Sequence, residues 1–250
     1  MPLEAGFPPL SIRAAELNAR FKNHSAIDVV GHVLDNPLLG PIALVSSFGA
    51  EAVVLLHMIS ITDRTTPVLF LDTQMLFPET LEYQQDVAEK FGLTDVRVIR
   101  PDRSRLLEKD VDGLLHLYDT DACCALRKTD PLEQALDGFE SWITGRKRFH
   151  GSEREALDFF EAGPVRIKVN PLAHWTRDNV VEYMNNNKLP RHPLVKQGYS
   201  SIGCAPCTTK TRAGEDPRAG RWRNKTKTEC GIHYINGRPA QGPLPQEDHL

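Results

Sequence analysis

The sequence predicts an α/β fold built on a parallel sheet, and two observations support this. Three short runs rich in aliphatic residues, at 42–45, 68–71 and 96–99, have the length of strands, and the first reads as a buried strand. Helical patterns at 52–61 and 78–91 separate them, with short joints between each run and the next helix. Such an order makes the strands parallel, with right-handed crossovers and ligands at the carboxyl ends of the strands.

Composition and charge restrict the class of protein. With 250 residues, 40% hydrophobic and 25% charged, the chain can bury the core of one large domain. No run of 18 apolar residues exists, and the first residues lack a basic segment followed by an apolar one. We therefore expect no membrane partner, no secretory signal and a cytoplasmic location, where cysteines are reduced, catalytic or metal-bound. A net charge of −3 argues against a nucleic-acid partner.

Further helices and strands are predicted before the first strand and after the third. Two short helices are predicted over 11–34, before the first strand. The helix at 78–91 stops at Gly92, which suits a left-handed position after a helix. Further helices are predicted around 105–117, at 123–128, from Pro131 onward and at 176–188, and further strands at 142–144 and 165–169.

Regular patterning fades beyond Cys207. We therefore predict one α/β domain over 1–207 and a mobile, basic C-terminal segment over 208–250. Residues 208–230 carry seven basic side chains against three acidic ones, although the whole chain is acidic. Such a segment is either a solvated loop or a lid over an anion site.

The turn after the first strand is a candidate phosphate loop. It offers Ser46, Ser47, Phe48 and Gly49 between a buried strand and a helix N-terminus, where free N–H groups favour an anion. It lacks the Gly-Lys-Ser/Thr of a Walker loop, so an ordinary structural turn is an equal alternative on local sequence.

A second candidate follows the strand at 142–144. Gly145 is succeeded there by Arg146, Lys147 and Arg148 at the end of a predicted strand. Arg146 is the best candidate for an anion contact, because a guanidinium binds an oxyanion with two hydrogen bonds. A solvated surface run explains these cations equally well.

The five cysteines divide into two pairs and a remainder. Cys123 and Cys124 are adjacent, Cys204 and Cys207 are spaced as Cys-x-x-Cys, and Cys230 stands alone. Four thiolates suit zinc or an iron–sulfur cluster, and the local chemistry does not separate the two. Inert buried cysteines and a redox pair at Cys204 and Cys207 are the alternatives. Cys230 follows a strongly basic segment, which favours a nucleophilic thiolate over an incidental cysteine.

Taken together, six motifs resemble the assimilatory adenylyl-sulfate reductases of the phosphoadenylyl-sulfate/adenylyl-sulfate reductase family. The resemblance covers residues 41–233, and its Cys-Cys, Cys-x-x-Cys and Glu-Cys-Gly-x-His elements are specific. The motifs are Ser46-Ser47-Phe48-Gly49-Ala50-Glu51, Leu71-Asp72-Thr73 with Phe77-Pro78-Glu79-Thr80, Cys123-Cys124 with Arg127-Lys128-Thr129-Asp130-Pro131-Leu132, Trp142-Ile143-Thr144-Gly145-Arg146-Lys147, Cys204-Ala205-Pro206-Cys207 and Glu229-Cys230-Gly231-Ile232-His233.

The resemblance implies a three-layer, adenine-nucleotide α-hydrolase-like (PP-loop) fold and reduction of adenylyl sulfate to sulfite and AMP, for sulfate assimilation and cysteine biosynthesis. It implies a [4Fe-4S] cluster on the four paired cysteines, Cys230 as the nucleophile that carries an S-sulfo group, and thioredoxin or glutaredoxin as reductant. The implied substrate contacts are Ser46, Ser47, Phe48, Gly49, Leu71, Thr73, Lys128, Gly145, Arg146, Arg218, Arg221 and His233.

Some positions depart from the family, and other readings stay open. Gln74 and Met75 replace a turn that commonly contains glycine, and Phe149 begins an unusual segment after the basic run. The 3′-phosphorylated nucleotide is the alternative substrate. An RNA-thiolating PP-loop enzyme should show a Ser-Gly-Gly-x-Asp-Ser loop, which is absent, and a zinc-binding interaction module would need no phosphate loop. A homo-oligomer is compatible with the sequence.

Overall fold

The computed structural model describes residues 8–151, 154–223, 225, 227, 231, 232, 234, 235, 238 and 239. Among these residues, no helix combines the length and apolar character needed to cross a lipid bilayer.

Six short strands form the central sheet, in the order β3, β2, β1, β4, β6, β5. All neighbouring pairs are parallel except β5 with β6. A separate antiparallel pair joins β7 (Tyr234–Ile235) to β8 (Arg238–Pro239). The strands of the main sheet are β1 (Ile42–Ser46), β2 (Val68–Leu71), β3 (Val96–Ile99), β4 (Ser141–Ile143), β5 (Phe160–Ala162) and β6 (Ile167–Val169).

Helices cover both faces of the sheet. They are α1 (Leu10–Phe21), α2 (Ala26–Leu34), α3 (Val53–Thr62), α4 (Pro78–Phe91), α5 (Arg103–Lys109), α6 (Leu115–Tyr118), α7 (Thr120–Cys124), a π-helix (Ala125–Thr129), α8 (Asp130–Ala135) and α9 (Arg177–Asn186). The predicted left-handed Gly92 ends α4 with φ 64°.

The two faces of the sheet bury different residues because successive side chains of a strand point to opposite sides. Leu44, Phe70 and Ile143 belong to the larger core cluster, which the first four helices and α9 cover. Leu69 and Trp142 belong to the smaller cluster, which the α8 region covers with Leu132 and Leu136. The predicted three-layer α/β architecture is therefore confirmed.

The antiparallel edge strand β5 was not predicted. Its three residues are too short to show a strand pattern, and its identity comes from pairing with β6. Gly163 begins the turn between them, where an added Cβ would lie 2.8 Å from the Arg166 carbonyl oxygen. The hairpin also shortens the strand expected at 165–169, which begins at Ile167.

The helical pattern around Cys123 is confirmed, but part of it is a π-helix. The wider turn spans Ala125–Thr129, between α7 and α8. Its Arg127 side chain is buried and pairs with Asp110, with an Nη2 to Oδ2 distance of 2.6 Å. Nη1 of the same guanidinium donates to the Thr73 carbonyl oxygen at 2.9 Å. A π-helix often marks a functional site, and this one ties the cysteine-bearing helix to the end of β2.

Residues 208–223 pack against the domain without forming a helix or a ladder of strands. A single bridge joins Thr208 to Arg221, and the Thr209 N–H donates to the Gly220 carbonyl oxygen at 2.8 Å. Trp222 is buried at the end of this segment. Its irregular backbone agrees with the sequence pattern, and mobility of 208–250 stays a prediction.

One prediction compares two isoleucines of α3. Ile59 is fully buried, whereas Ile61 is 57% exposed. Ile59→Ala should lower the free energy of unfolding by about 2–5 kcal/mol, because it leaves a cavity in the larger core cluster. Ile61→Ala should change the same quantity by no more than about 0.5 kcal/mol. Urea unfolding measures both, and equal losses would show that α3 does not pack as described.

Candidate active site

A pocket opens where the strand order reverses. From β1 the chain adds β2 and β3 on one side of the sheet and β4 and β6 on the other, which leaves a crevice beyond the carboxyl ends of β1 and β4. Residues from both strand ends line this pocket, together with residues from the 200–204 and 217–222 segments and Ile232. Ligands of open α/β sheets bind at this kind of position.

The loop after β1 forms one wall. Ser46 Oγ accepts from the Phe48 N–H at 3.2 Å, and Ser47 Oγ accepts from the Gly49 N–H at 3.4 Å. Ser46, Ser47 and Gly49 line the pocket. Phe48 adopts a left-handed φ of 47°, and its side chain is buried against Phe70, with ring centroids 5.2 Å apart. Phe48 therefore anchors the loop in the core, and its ring does not line the pocket.

A glycine brings the opposite wall close to this loop. An added Cβ at Gly49 would lie 3.3 Å from the Ile202 carbonyl oxygen, tighter than most real contacts. Ile202, Gly203 and Cys204 line the pocket from that side. The absence of a side chain at Gly49 thus lets the loop after β1 and the segment before Cys204 lie close together.

The end of β2 supplies the predicted Leu71 and Thr73, and both line the pocket. Thr73 Oγ1 and Cys204 Sγ are hydrogen-bonded at 3.2 Å. Gln74, where the resemblance implies a turn that commonly contains glycine, has a left-handed φ of 58°. This turn therefore has a conformation typical of glycine at a residue that is not glycine, at some cost in backbone strain.

The two cysteine pairs meet at the edge of this pocket. Cys123, Cys124 and Cys204 are buried, Cys207 is half-buried, and none of the four forms a disulfide. Burial, followed by the neighbouring Cys124, raises the pKa of the Cys123 thiol to about 12, and Cys204 adds to this effect. Because Cys204 influences Cys123, the pairs lie close enough to interact.

The Cys204 thiol ionises more easily than the thiols of Cys123 and Cys207. Burial alone would raise its pKa, but Lys128, the hydrogen bond with Thr73 and the charge of Arg221 outweigh burial and lower it. Burial and the neighbouring Cys204 raise the pKa of Cys207. Within the described part of the chain, no group of three or more His, Cys, Asp or Glu side chains is placed to hold a single metal ion.

A cationic wall faces Cys204. Lys128, Arg218 and Arg221, three of the substrate contacts that the resemblance implied, all line the pocket. The Arg221 guanidinium stacks on Trp222, with Cζ 4.5 Å from the ring centroid. It also lies against Gly203, where an added Cβ would sit 2.2 Å from Nη2. Only glycine at this position leaves room for the guanidinium in its present place.

Acidic partners surround the basic run after β4. Gly145 and Arg146, two predicted substrate contacts, line the pocket. Arg146 is buried, donates to Asn170 Oδ1 at 3.2 Å and forms an ion pair with Glu161. Arg148 pairs with Asp158 at 3.2 Å. Both guanidinium groups are therefore already paired with carboxylates of the protein.

Glu51 lines the pocket, although the sequence did not single it out as a site residue. Its Oε2 accepts from Lys147 Nζ at 2.8 Å and from His150 Nε2 at 3.1 Å. Burial opposes ionisation of Glu51, yet these two partners lower its pKa to about 2. Sequence reasoning also missed His150, Arg154 and Trp222 as lining residues, since their positions depend on loop packing and no local motif marks them.

The segment that leads toward the predicted nucleophile follows the cysteine-bearing helix. Lys225 Nζ donates to the His116 carbonyl oxygen at 2.8 Å and to Thr120 Oγ1 at 2.6 Å. Lys227 is buried and pairs with Asp121. An added Cβ at Gly231 would lie 3.6 Å from Thr129 Oγ1. The predicted Cys230 and His233 lie outside the described residues.

Comparison with known proteins agrees with this geometry. A family model described as the phosphoadenosine phosphosulfate reductase domain matches residues 41–210. A Mesorhizobium japonicum protein named adenosine 5'-phosphosulfate reductase is 47% identical over 224 residues, which cover 90% of this chain and 88% of the relative. A Gloeobacter violaceus protein named phosphoadenosine 5'-phosphosulfate reductase is 39% identical, covering 77% of this chain and 82% of the relative.

Solved structures were also compared with the fold of this chain. The phosphoadenylyl-sulfate reductase of Candida auris superposes with a TM-score of 0.69 at 27% identity, over 82% of this chain and all of that protein. FMN adenylyltransferase of Candida glabrata, at 16% identity, a TM-score of 0.54 and coverage of 96% of this chain and 91% of its own, shares the fold alone. Since the family model covers more than half of the sequence and close relatives cover most of it, this chain belongs to the phosphoadenosine phosphosulfate reductase family.

Proposed function

We propose that this chain reduces adenylyl sulfate to sulfite and AMP, with thioredoxin or glutaredoxin as the reductant. The observation that carries the proposal is a cationic pocket at the carboxyl ends of the strands, with the Cys204 thiol in its wall. Relatives that cover most of the chain bear the name of this activity. The free thiols, together with the dithiol reductant proposed here, fit a cytoplasmic enzyme.

Different walls of the pocket bind the phosphosulfate and the adenosine of the substrate. Lys128, Arg218 and Arg221 bind the phosphosulfate, because guanidinium and ammonium groups make charge-assisted hydrogen bonds to its oxygens. The adenosine lies between the loop after β1 and Gly145, where the walls are uncharged or internally paired. Leu71 and Thr73 support it from the end of β2.

The chemistry uses Cys230 as nucleophile. Its thiolate attacks the sulfur of adenylyl sulfate, a sulfur–sulfur bond forms, and the bond from sulfur to the bridging oxygen breaks, so that AMP leaves with the electron pair. A thioredoxin thiolate then attacks the Cys230 sulfur and releases sulfite. The second thioredoxin thiol displaces Cys230, which returns to the thiol state while thioredoxin is oxidised. Ile232, two residues after Cys230, lines the pocket.

The four paired cysteines fit an iron–sulfur cluster. Four cysteine thiolates are the ligand set of a [4Fe-4S] cluster. The four thiols are free, and Cys123 is influenced by both Cys124 and Cys204. Cys123, Cys124, Cys204 and Cys207 would hold the cluster, which would supply a charged, redox-active group at Cys204. Thr73 and Lys128 orient and charge-balance the Cys204 sulfur.

The 3′-phosphorylated nucleotide is the second candidate substrate. The Gloeobacter relative and the Candida auris structure carry the name of that activity. The paired state of Arg146 and Arg148 favours the unphosphorylated nucleotide, since an added phosphate needs cations that are not already bound to acids.

The first test of this function concerns the cluster. Protein purified without oxygen should contain about four iron and four sulfide per chain. Cys204→Ser should lose both, whereas Cys230→Ser, the matched control, should keep them. Iron and sulfide analysis with the visible absorption spectrum measures this. Zinc in colourless wild-type protein would refute the cluster.

The second test concerns the nucleophile. Wild-type protein given adenylyl sulfate without reductant should release one AMP per site and gain the mass of one SO₃ group on the peptide that contains Cys230. Cys230→Ser should do neither. Peptide mass spectrometry measures the adduct, and an adduct on Cys204 or Cys207 would contradict the assignment.

The third test uses the glycine beside Arg221. Gly203→Ala should displace the guanidinium and lower kcat/KM for adenylyl sulfate by about tenfold or more, with little change in Tm. Gly31→Ala is the control, because an added Cβ there meets nothing within 4 Å. Arg221→Ala should lower kcat/KM to a similar degree. Adding Gly203→Ala to the Arg221→Ala variant should lower kcat/KM little further. Unchanged kinetics in both variants would remove Arg221 from substrate binding.

A further inference from the structure

Trp222 combines burial with two unfavourable local features. Its side chain is 4% exposed, and its indole N–H has no hydrogen-bond acceptor among the described residues. Its backbone has a left-handed φ of 47°, which a bulky aromatic residue rarely adopts. Buried indole N–H groups usually have a partner, and strained backbone conformations cluster at functional sites. Stability of the fold alone therefore does not account for a tryptophan at this position.

The ring of Trp222 lies against cations. It belongs to neither apolar core cluster of the described residues. Arg221 Cζ lies 4.5 Å from the ring centroid, and Lys227 Nζ lies 5.9 Å from it. At both distances a cation is attracted to the face of an indole ring. Lys227 also pairs with Asp121, whereas Arg221 lines the pocket. The contact with Arg221 is therefore the one that bears on the substrate site.

Backbone contacts fix this residue pair relative to the Cys-x-x-Cys motif. The Trp222 N–H donates to the Cys207 carbonyl oxygen at 3.0 Å, and the Trp222 carbonyl oxygen accepts from the Lys225 N–H at 2.9 Å. Arg221 forms a bridge with Thr208, the residue after Cys207. The indole ring and the guanidinium are therefore attached to the same short segment, which begins at one of the paired cysteines.

The ring restricts an otherwise flexible side chain. An arginine loses rotamer freedom when it binds an anion, and this loss reduces the affinity. A ring that already holds the guanidinium removes part of that cost before the anion arrives. Gly203 limits the guanidinium further, since an added Cβ there would lie 2.2 Å from Arg221 Nη2. Arg221 is thus held by an aromatic face and by a close approach to the backbone before Cys204.

We propose that Trp222 is a positioning residue whose indole ring holds the Arg221 guanidinium in the place where it binds the phosphosulfate. The ring acts through the arginine and has no need to touch the substrate. This inference rests on the proposed function and names the residue that prepares one of its substrate contacts.

Binding of adenylyl sulfate to the full chain tests this role. Cys230→Ser provides the background, because the nucleotide then binds without reacting with a thiol. Trp222→Leu keeps an apolar side chain but removes the aromatic face, so the Kd for adenylyl sulfate should rise about tenfold. Trp222→Phe keeps an aromatic face and should restore part of the affinity. Isothermal titration calorimetry measures each Kd.

Two measurements separate positioning from a merely structural role. The Kd for adenosine, which lacks the phosphosulfate, should be the same in every variant. In protein that already carries Arg221→Ala, the change Trp222→Leu should raise the Kd for adenylyl sulfate little further, because its effect passes through the missing guanidinium. A structural defect would weaken adenosine binding as well and would add to the effect of Arg221→Ala.

Trp175→Leu is the matched control. Trp175 is half-buried, packs on Tyr183 with ring centroids 5.4 Å apart, and is not among the described residues that line the pocket. Its substitution should leave the Kd values for adenylyl sulfate and adenosine unchanged. The Tm of each variant establishes that the protein is folded.

The results distinguish this inference from the proposed function. The role of Trp222 is overturned, and the reductase proposal stands, if Trp222→Leu leaves the Kd for adenylyl sulfate unchanged or raises the Kd for adenosine equally. An additive effect with Arg221→Ala, or an unchanged Kd in Arg221→Ala itself, would also overturn it. If Cys230→Ser protein does not bind adenylyl sulfate at all, the proposed function fails together with this inference.

Discussion

The buried ion pair between Arg127 and Asp110 is the interaction on which the site depends. Both side chains are almost inaccessible to solvent, and the same guanidinium also binds the Thr73 carbonyl oxygen. It therefore joins the helix that carries Cys123 and Cys124 to the end of β2, where Thr73 contacts Cys204. Removing one partner of such a pair leaves an uncompensated buried charge, which costs about 3–5 kcal/mol.

Electrostatics gives the pocket two different halves. Beside Cys204, Lys128 and Arg221 lower the pKa of a thiol that burial alone would keep neutral. Beside Glu51 the positive charge is weaker, because the Glu51 carboxylate forms an ion pair with Lys147 and burial lowers the pKa of that lysine. We therefore expect the substrate group with the most concentrated negative charge to lie toward Cys204.

The sequence predicted the parts of the fold that local pattern encodes. The apolar runs of β1 and β2 are buried on both faces of a sheet, so their hydrophobicity is continuous and easy to recognise. The three-residue strand β5 is defined by its pairing with β6, and the ion pair of Glu51 is made with Lys147, which follows β4. Both features depend on contacts with other parts of the chain, so no local pattern predicts them. Phe48 belongs to the recognised loop motif, but only tertiary packing shows that its ring enters the core.

Two glycines allow the distant parts of the site to close on one another. Gly49 lets the loop after β1 approach the Ile202 carbonyl, and Gly203 lets the Arg221 guanidinium lie across the backbone just before Cys204. An added Cβ at Gly203 would require the guanidinium to move, and one at Gly49 would require the Ile202 carbonyl to shift slightly, so each glycine permits the close approach seen in the structure. The two cysteine pairs come from parts of the chain far apart in sequence, and the Arg127 pair and these close approaches bring those parts together. The geometry of the site therefore depends on tertiary contacts, and no single local segment provides it.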